Sequence, residues 1–561
     1  MERGLMNYTR ITALGALTAL VALGACSVDR ADGTASGVAS ITEDEIAEHI
    51  EVLASDEFGG RAPSSPGEEL TVAYLAEQFS SFGLEPGNAG SFFQDVPLVD
   101  ITVDPNRAPF TIEGRGSPMQ FTYADDVVTW TTRTVESSRI EDSEMVFVGY
   151  GIVAPEYGWD DYEGLDATGK TVVILVNDPG YATQDDDVFN GNTMTYYGRW
   201  TYKFEEAARQ GAAAALIVHQ TAPAAYGWET VRNSWTGPQF NLQPEDGNAG
   251  RVAIEGWMTE ETSRTVFERA GMDFDALYRQ AETGSLRPID MGLSLSTLVQ
   301  NELRFSDSKN VVAILPGAEA PDEYFIYIAH WDHFGTDPEL IAAGEDGIYN
   351  GALDNASGTA AMLELAEAYA NLPERPRRSI VFLAVTAEEQ GLLGSAHYAA
   401  DPVFPLARTV AGLNMDGLSN FGPTRELVVQ GYGMSELDMI ADAAAAAQGR
   451  RIDPDPEPEK GYYFRSDHFE LAKLGVPMIY PGNGIDHVER GSEYGLEMNA
   501  RYTRERYHMV TDEFDETWDL SGAVDDVVLY YEIGAAVIQS DTWPNWNEGT
   551  EFRAIREESR K

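Results

Sequence analysis

The chain has 561 residues, enough for two or three domains with ample core, and its 43% hydrophobic and 11% aromatic content is that of a folded protein. Asp and Glu number 92 against 38 Lys and Arg, a formal net charge of -54, which repels phosphate backbones and argues against nucleic acid as a partner. That charge serves solubility or adaptation to salt, and at long range it favours cationic substrates. The one cysteine leaves no intramolecular disulfide. In chain order, Met1 to Arg10 carries Arg3 and Arg10 ahead of an apolar run from Ile11 to Ala25. This is the pattern of an export signal, too short for a spanning helix with normal flanks.

Leu23-Gly24-Ala25-Cys26 resembles a bacterial lipobox. The resemblance implies lipidation of Cys26 as the mature N-terminus, and Ser27 after it matches outer-membrane sorting. Two or three acyl chains would hold such a protein to a membrane stably. The alternative is an ordinary secretory signal with an incidental cysteine. Residues 1–26 are thus expected to be a lipoprotein signal, and 27–40, small and polar, a tether to the cell envelope.

Thr42 with Glu45 fits a capping box, and Ile46, Ile50 and Leu53 keep helical spacing behind it. A second helix is predicted over Glu68 to Phe82, closed by Gly83. From Tyr123 the texture turns to β, with strands at Glu144–Gly151, Thr171–Val176 and Ala212–Val218 and helices at Lys203–Gly211 and Thr259–Glu282. The Gly149-Tyr150-Gly151 and Gly169-Lys170-Thr171-Val172-Val173 runs resemble the protease-associated (PA) insert of many exopeptidases. The expected organisation is one α/β domain from 41–122 and 299–540, interrupted by a β-rich insert at 123–298. A final helix is predicted over Thr517–Ile538, and the polar tail 541–561 is expected to lie loosely on the surface.

The most informative stretch runs from Tyr324 to Gly417. A strand ends in His330-Trp331-Asp332-His333, a loop delivers Asp354-Asn355-Ala356-Ser357-Gly358 ahead of a helix, a second strand ends in Glu388-Glu389, and a third in Asp416. Nitrogen and oxygen ligands therefore sit at successive strand ends, where open α/β sheets bind ligands. Adjacent Glu388 and Glu389 would repel one another unless cations offset their charge. Two divalent ions roughly 3.5–4 Å apart would polarise a carbonyl and acidify a water, given about five ligands and a free general base. His330, Asp354, Glu389, Asp416 and a later histidine supply the ligands, which leaves Glu388 as the base.

At these residues the resemblance is close. His330-x-Asp332, Asp354-Asn355-x-Ser357-Gly358, Glu388-Glu389-x-Gly391-x-x-Gly394-Ser395 and Asn414-x-Asp416 resemble the co-catalytic di-zinc aminopeptidases, a family that also takes in glutamate carboxypeptidase, glutaminyl cyclase and the transferrin receptor. The resemblance implies a zinc-exopeptidase fold, a phosphorylase/hydrolase-like mixed sheet flanked by helices, with two Zn2+ ions. It implies Asp354 as the bridging ligand, His330 and Asp416 on one ion, Glu389 and a C-terminal histidine on the other, Glu388 as acid/base, and Asp332 orienting a ligand. His508 and His487 compete for the last place. Tyr507-His508 with Asp512 keeps the family's spacing and favours His508, although Met509-Val510 stands where Thr-Pro is usual. Arg465-Ser466-Asp467-His468 resembles a segment lining the cleft, so Arg465 and His468 are candidate substrate contacts, and His333 stands beside the site.

The activity this implies is removal of N-terminal residues from peptides. A glutamate-releasing carboxypeptidase is the alternative enzyme, with Arg465 its main support. A receptor-like binding scaffold with a decayed site is the alternative outside enzymes.

Overall fold

The computed structural model describes residues 37–107 and 109–561. Cys26, the expected signal and most of the tether lie outside them. Among the described residues no helix is long and apolar enough to cross a membrane.

The fold is mixed α/β. Its main sheet is built on parallel strands: Ala320–His330 lies between Arg378–Val385 and Thr409–Asn414, and Met478–Gly482 follows Thr409–Asn414. All residues of Arg378–Val385 and Thr409–Asn414 are buried, as expected of strands covered on both faces. The helix Ser357–Ala370 is buried almost all round. Glu43–Leu53 packs against it, and Ser521–Ile538, shorter at its start than expected, shares the same core. The Thr42 capping box forms, its hydroxyl accepting from the Glu45 amide at 3.2 Å.

A second sheet is formed by Met119–Phe121, Phe110–Glu113, the start of Ile289–Leu315, Ser137–Phe147, Thr171–Leu175, Ala214–Val218, Ile254–Met258 and Val127–Trp130, in that spatial order. It begins upstream of the expected boundary at 123, because Phe110–Glu113 pairs with Ser294–Thr297 and not with the main sheet. The two sheets share one strand. Ile289–Leu315 runs for 27 residues, pairing with Ser137–Phe147 at its start and with Phe93–Val103 and Arg378–Val385 further on. The insert also returns to the main sheet, since Pro238–Leu242 pairs with the far side of Phe93–Val103.

The tail is not loose. Trp546 is fully buried with its indole N–H on the Gly475 carbonyl at 2.9 Å, Phe552 is buried, and Arg556 donates to the Thr409 carbonyl at 2.7 Å. Three side chains in a polar stretch do the anchoring, so average composition hid them. The helix expected over Thr259–Glu282 is two, Glu260–Ala270 and Phe274–Ala281, broken at Gly271, whose φ of +72° ends the first.

Candidate metal centre

Strand register places the ligands. His330 is the last residue of its strand and pairs with Val385, just before Glu388 and Glu389, while Ile328 pairs with Asn414, just before Asp416. Three strand ends thus converge from one sheet edge. Asp354 comes from the loop before Ser357–Ala370, and Asn355 stitches that loop to the strand end by donating to the Met415 carbonyl (3.0 Å) and accepting from the Gly417 amide (2.9 Å).

The Asp354 carboxylate faces an imidazole with each oxygen: Oδ1 lies 3.4 Å from His330 Nε2, and Oδ2 lies 3.2 Å from His508 Nε2. Asp416 Oδ1 is 3.4 Å from His330 Nε2, and Glu389 Oε2 is 3.3 Å from His508 Nε2. Ligand atoms of His330, Asp354 and Glu389, and separately of His330, Glu388 and Asp416, lie within 4.8 Å of one another. All the predicted ligands are therefore brought together. The choice between the two late histidines falls to His508; His487 is buried elsewhere, its Nδ1 accepting from the amides of Glu489 and Arg490. His508 holds φ +59°, a left-handed conformation unusual for a non-glycine residue and common where function overrides backbone preference.

The groups behind the ligands fix them. Asp332 is fully buried, accepts from the Glu388 amide at 3.1 Å and has its Oδ1 3.9 Å from His330 Nδ1. His333 Nδ1 is 2.5 Å from Glu389 Oε1, and Tyr480 donates to Asp416 Oδ2 at 3.2 Å. Sequence reasoning missed two supports. Asp512 is buried and accepts from the amides of Leu353 and Asp354, both at 3.1 Å, which aims the Asp354 loop. Arg61, also buried, donates to the carbonyls of Leu53, Asn350, Gly351 and Trp331. A lone arginine in a Gly-rich loop gave no pattern to read, whereas the spacing from His508 to Asp512 was visible but its job was not.

Electrostatically the site is crowded with carboxylates. Burial first, and then the neighbouring acids, hold Glu388 and Glu389 well above the usual carboxylate range. Burial works against the charge of His330, yet Glu388, Asp354 and Asp416 outweigh it and raise its affinity for a proton. Asp332 and Asp512 are pushed up to about 6 by burial. Arg61 is the buried cation that faces Asp332, Asp354, Glu389 and Asp512. Mixed imidazole and carboxylate donors in excess of the available positive charge are what a divalent metal site requires. Asp332 Oδ2 and His333 Nε2 are buried without partners, so the support is complete only on the side that faces the ligands.

The remaining candidates separate. His468 is fully buried between the rings of Tyr463 (4.5 Å) and Tyr480 (4.7 Å), so it stands behind Tyr480. Arg465 is half-buried, its guanidinium 5.4 Å from the Tyr462 ring centroid. His49 and His219 lie away from the site, against Tyr74 Oη at 2.6 Å and the Tyr226 carbonyl at 3.1 Å.

Comparison with known proteins bears on the same stretch. The chain is 37% identical over 130 residues to the mouse protein named Aminopeptidase NAALADL1, which is 22% of this chain and 16% of that protein. It is 28% identical over 214 residues (37% of this chain, 47% of the relative) to a probable zinc metalloprotease of Pyrenophora tritici-repentis. It is 30% identical over 211 residues (35% and 24%) to the glutamate carboxypeptidase 2 homolog of Caenorhabditis elegans. The chain thus spans less than half the length of these curated relatives. Among solved structures, the aminopeptidase from Aneurinibacillus sp. strain AM-1 superimposes with a TM-score of 0.47 at 18% identity, over 91% of this chain and 97% of that one. Residues 310–532, which supply His330, Asp354, Glu388, Glu389, Asp416 and His508, match the model of peptidase family M28.

Proposed function

We propose that the protein is a zinc-dependent exopeptidase, an aminopeptidase that hydrolyses the N-terminal peptide bond of its substrates at a two-ion centre. The observation that carries this reading is the Asp354 carboxylate, one oxygen toward His330 and the other toward His508, the arrangement of a ligand shared by two ions. His330 and Asp416 would complete one ion's shell, Glu389 and His508 the other's. Divalent ions held by these residues would supply Lewis acidity for the scissile carbonyl and lower the pKa of a water.

The chain's own groups do the rest. Glu388 makes no side-chain hydrogen bond among the described residues and is partly exposed, so its carboxylate is free to take the proton of the attacking water and return it to the leaving amine. Asp332 holds the Glu388 backbone and sits against His330, keeping base and ligand in register. Tyr480 orients Asp416.

The reading extends to the cell. The lipobox-like Cys26 would tether the enzyme to the bacterial envelope, and the second sheet would be a PA-like insert shaping the cleft. The test is hydrolysis of aminoacyl-p-nitroanilides by protein lacking residues 1–26, alongside Glu388→Ala, with zinc measured in both. Cleavage by the parent, lost in the variant while about two zincs remain, is the expected result. Full zinc with no cleavage would move the assignment to C-terminal hydrolysis, and absence of zinc would leave a binding scaffold.

A further inference from the structure

An open sheet ends in strands whose outer main-chain groups have no partner, and native chains blunt such edges with charge, proline or burial. Arg451–Pro454 closes its side with Arg451 and Asp453, paired at 2.9 Å, and with Pro454. Val127–Trp130 is buried along its whole length. Pro238–Leu242 has neither protection. From Asn233 to Pro244 the chain carries no charged residue, although 23% of all residues are charged. Proline stands only at the first position of the strand, and Gln239 to Leu242 are half-buried.

The ladder decides which groups face out. The Asp104 amide bonds the Gln300 carbonyl at 2.9 Å, which gives the even-numbered residues of Phe93–Val103 to the shared strand Ile289–Leu315. The odd-numbered ones are left for Pro238–Leu242, and the Gln243 amide on the Pro97 carbonyl at 3.0 Å agrees. Gln239 and Asn241 therefore bond inward, opposite Ile101 and Val99, while the N–H and C=O of Phe240 and of Leu242 point away from the sheet. The Pro238 carbonyl, next in that row, is taken by Gln239 Nε2 at 2.9 Å. Among the described residues no strand pairs with this outer row. The row lies beside the metal-ligand loop. The side chains of Phe240 and Leu242 pack with Val96, Leu98, Ala387 and Leu393 in one small apolar cluster. Ala387 and Leu393 bracket Glu388 and Glu389 in the chain, so the strand with the open edge is seated on the loop that holds the candidate base.

We propose that Pro238–Leu242 is a docking edge for a polypeptide substrate, whose extended chain beyond the scissile bond adds to the sheet as a further strand through the main-chain groups of Phe240 and Leu242. Donors and acceptors repeated at every second residue match the backbone of another chain in extended conformation. Recognition through main chain is indifferent to sequence, so an exopeptidase built this way takes long, unfolded peptides ahead of dipeptides, whatever follows the first residue. That the occupant is a substrate rests on the function proposed above; the openness of the edge does not.

The test is the initial rate of leucine release from Leu-Ala and from a leucine-headed peptide of about ten residues, which spans about 30 Å when extended. The parent is expected to favour the long peptide in kcat/KM by about tenfold or more, the value of one or two net hydrogen bonds. N-methylation of alternate amides in that peptide is expected to abolish the preference in one frame and spare it in the other, because every second amide of a strand faces its neighbour. Phe240→Pro and Leu242→Pro remove outward donors at positions where a strand edge tolerates proline, and should bring the long-to-short ratio close to one. Phe240→Ala and Leu242→Ala keep the donors and should retain the ratio, which separates the loss of a hydrogen bond from the loss of packing. A parent that treats both lengths alike, a loss in both frames or in neither, or Ala variants that fall with the Pro variants would overturn the docking edge. So would a dimer in sedimentation that Leu242→Pro dissolves, since the edge would then belong to a second copy. Should leucine not be released at all, fluorescence polarisation of the same peptide, labelled at its C-terminus, with chelator-treated protein decides the edge by itself. Binding sensitive to one methylation frame supports it, and no binding, or binding equal in both frames, refutes it.

Discussion

The second sheet and the strand ends of the main sheet both bury acids, and they treat them in opposite ways. In the insert, Lys203 is fully buried with its ammonium on the Tyr150 carbonyl at 2.7 Å, and the acids it faces are Asp161 and Asp178. Asp161 accepts from the Ile152 amide and the Trp159 indole, and Asp178 from the amides of Gly180 and Thr195 and the Thr195 hydroxyl. Charge and hydrogen bonds close locally, and the group is scaffolding. At the strand ends, carboxylates face imidazoles and one another, and Arg61 gives its donors to carbonyls. The difference teaches that burial of acids alone does not mark a site; what sets the strand ends apart is that buried carboxylates from separate elements converge on shared imidazoles.

The sharpest way to break the comparison is at Glu388. Glu388→Gln is expected to lower kcat/KM by about 10²–10⁴-fold, with zinc content and melting temperature kept, because that carboxylate holds no structural bond. Steady-state kinetics with metal analysis checks it. Next in size is Lys203→Met, which strands two buried acids and is expected to cost about 3–5 kcal/mol in urea unfolding. The matching change at the site, Glu389→Gln, should stabilise the metal-free protein or leave it unchanged. A third measurement is thermal unfolding with and without zinc. Saturating metal at about 100 times its Kd adds about 2.7 kcal/mol, and His508→Ala should abolish most of that gain while Lys203→Met keeps it.

The smallest effect concerns a third buried acid, under the first helix. Glu364 is raised to about 8 by burial, and His49 beside it, 3.7 Å away, is lowered to about 4 by burial. The native state therefore binds the Glu364 proton longer than the unfolded chain, so stability falls as pH rises from about 4.5 to 8. The depressed His49 works in the other direction between about 4 and 6.5 and is neutral in both states above that. Between pH 6.5 and 8 the Glu364 loss is no longer opposed by His49 and amounts to something on the order of 2 kcal/mol. Melting temperature against pH should decline less steeply over this range in Glu364→Gln than in the parent.

The site was legible because strand ends translate order in the chain into proximity in space. His330, Glu388, Glu389 and Asp416 each close or follow an apolar run, and parallel pairing then leaves them one place to go. His508 was harder, since its approach depends on Asp512 pulling the Asp354 loop toward it, a long-range contact with no local signature. Arg61 and Trp546 were illegible for the same reason: each is a single side chain whose partners lie far along the chain. The boundary of the insert was misread because Phe110–Glu113 looks like any short strand, and only pairing decides which sheet owns it.

That shared ownership has a mechanical meaning. At about 3.3 Å per residue, the strand Ile289–Leu315 is a beam of 27 residues whose one end stiffens the insert and whose other end lies against the strand that delivers Glu388. With Pro238–Leu242 riveting the insert to the main sheet a second time, the insert cannot swing on a hinge or be excised as a cassette. One continuous strand thus belongs to both sheets, and the chain should melt as one piece.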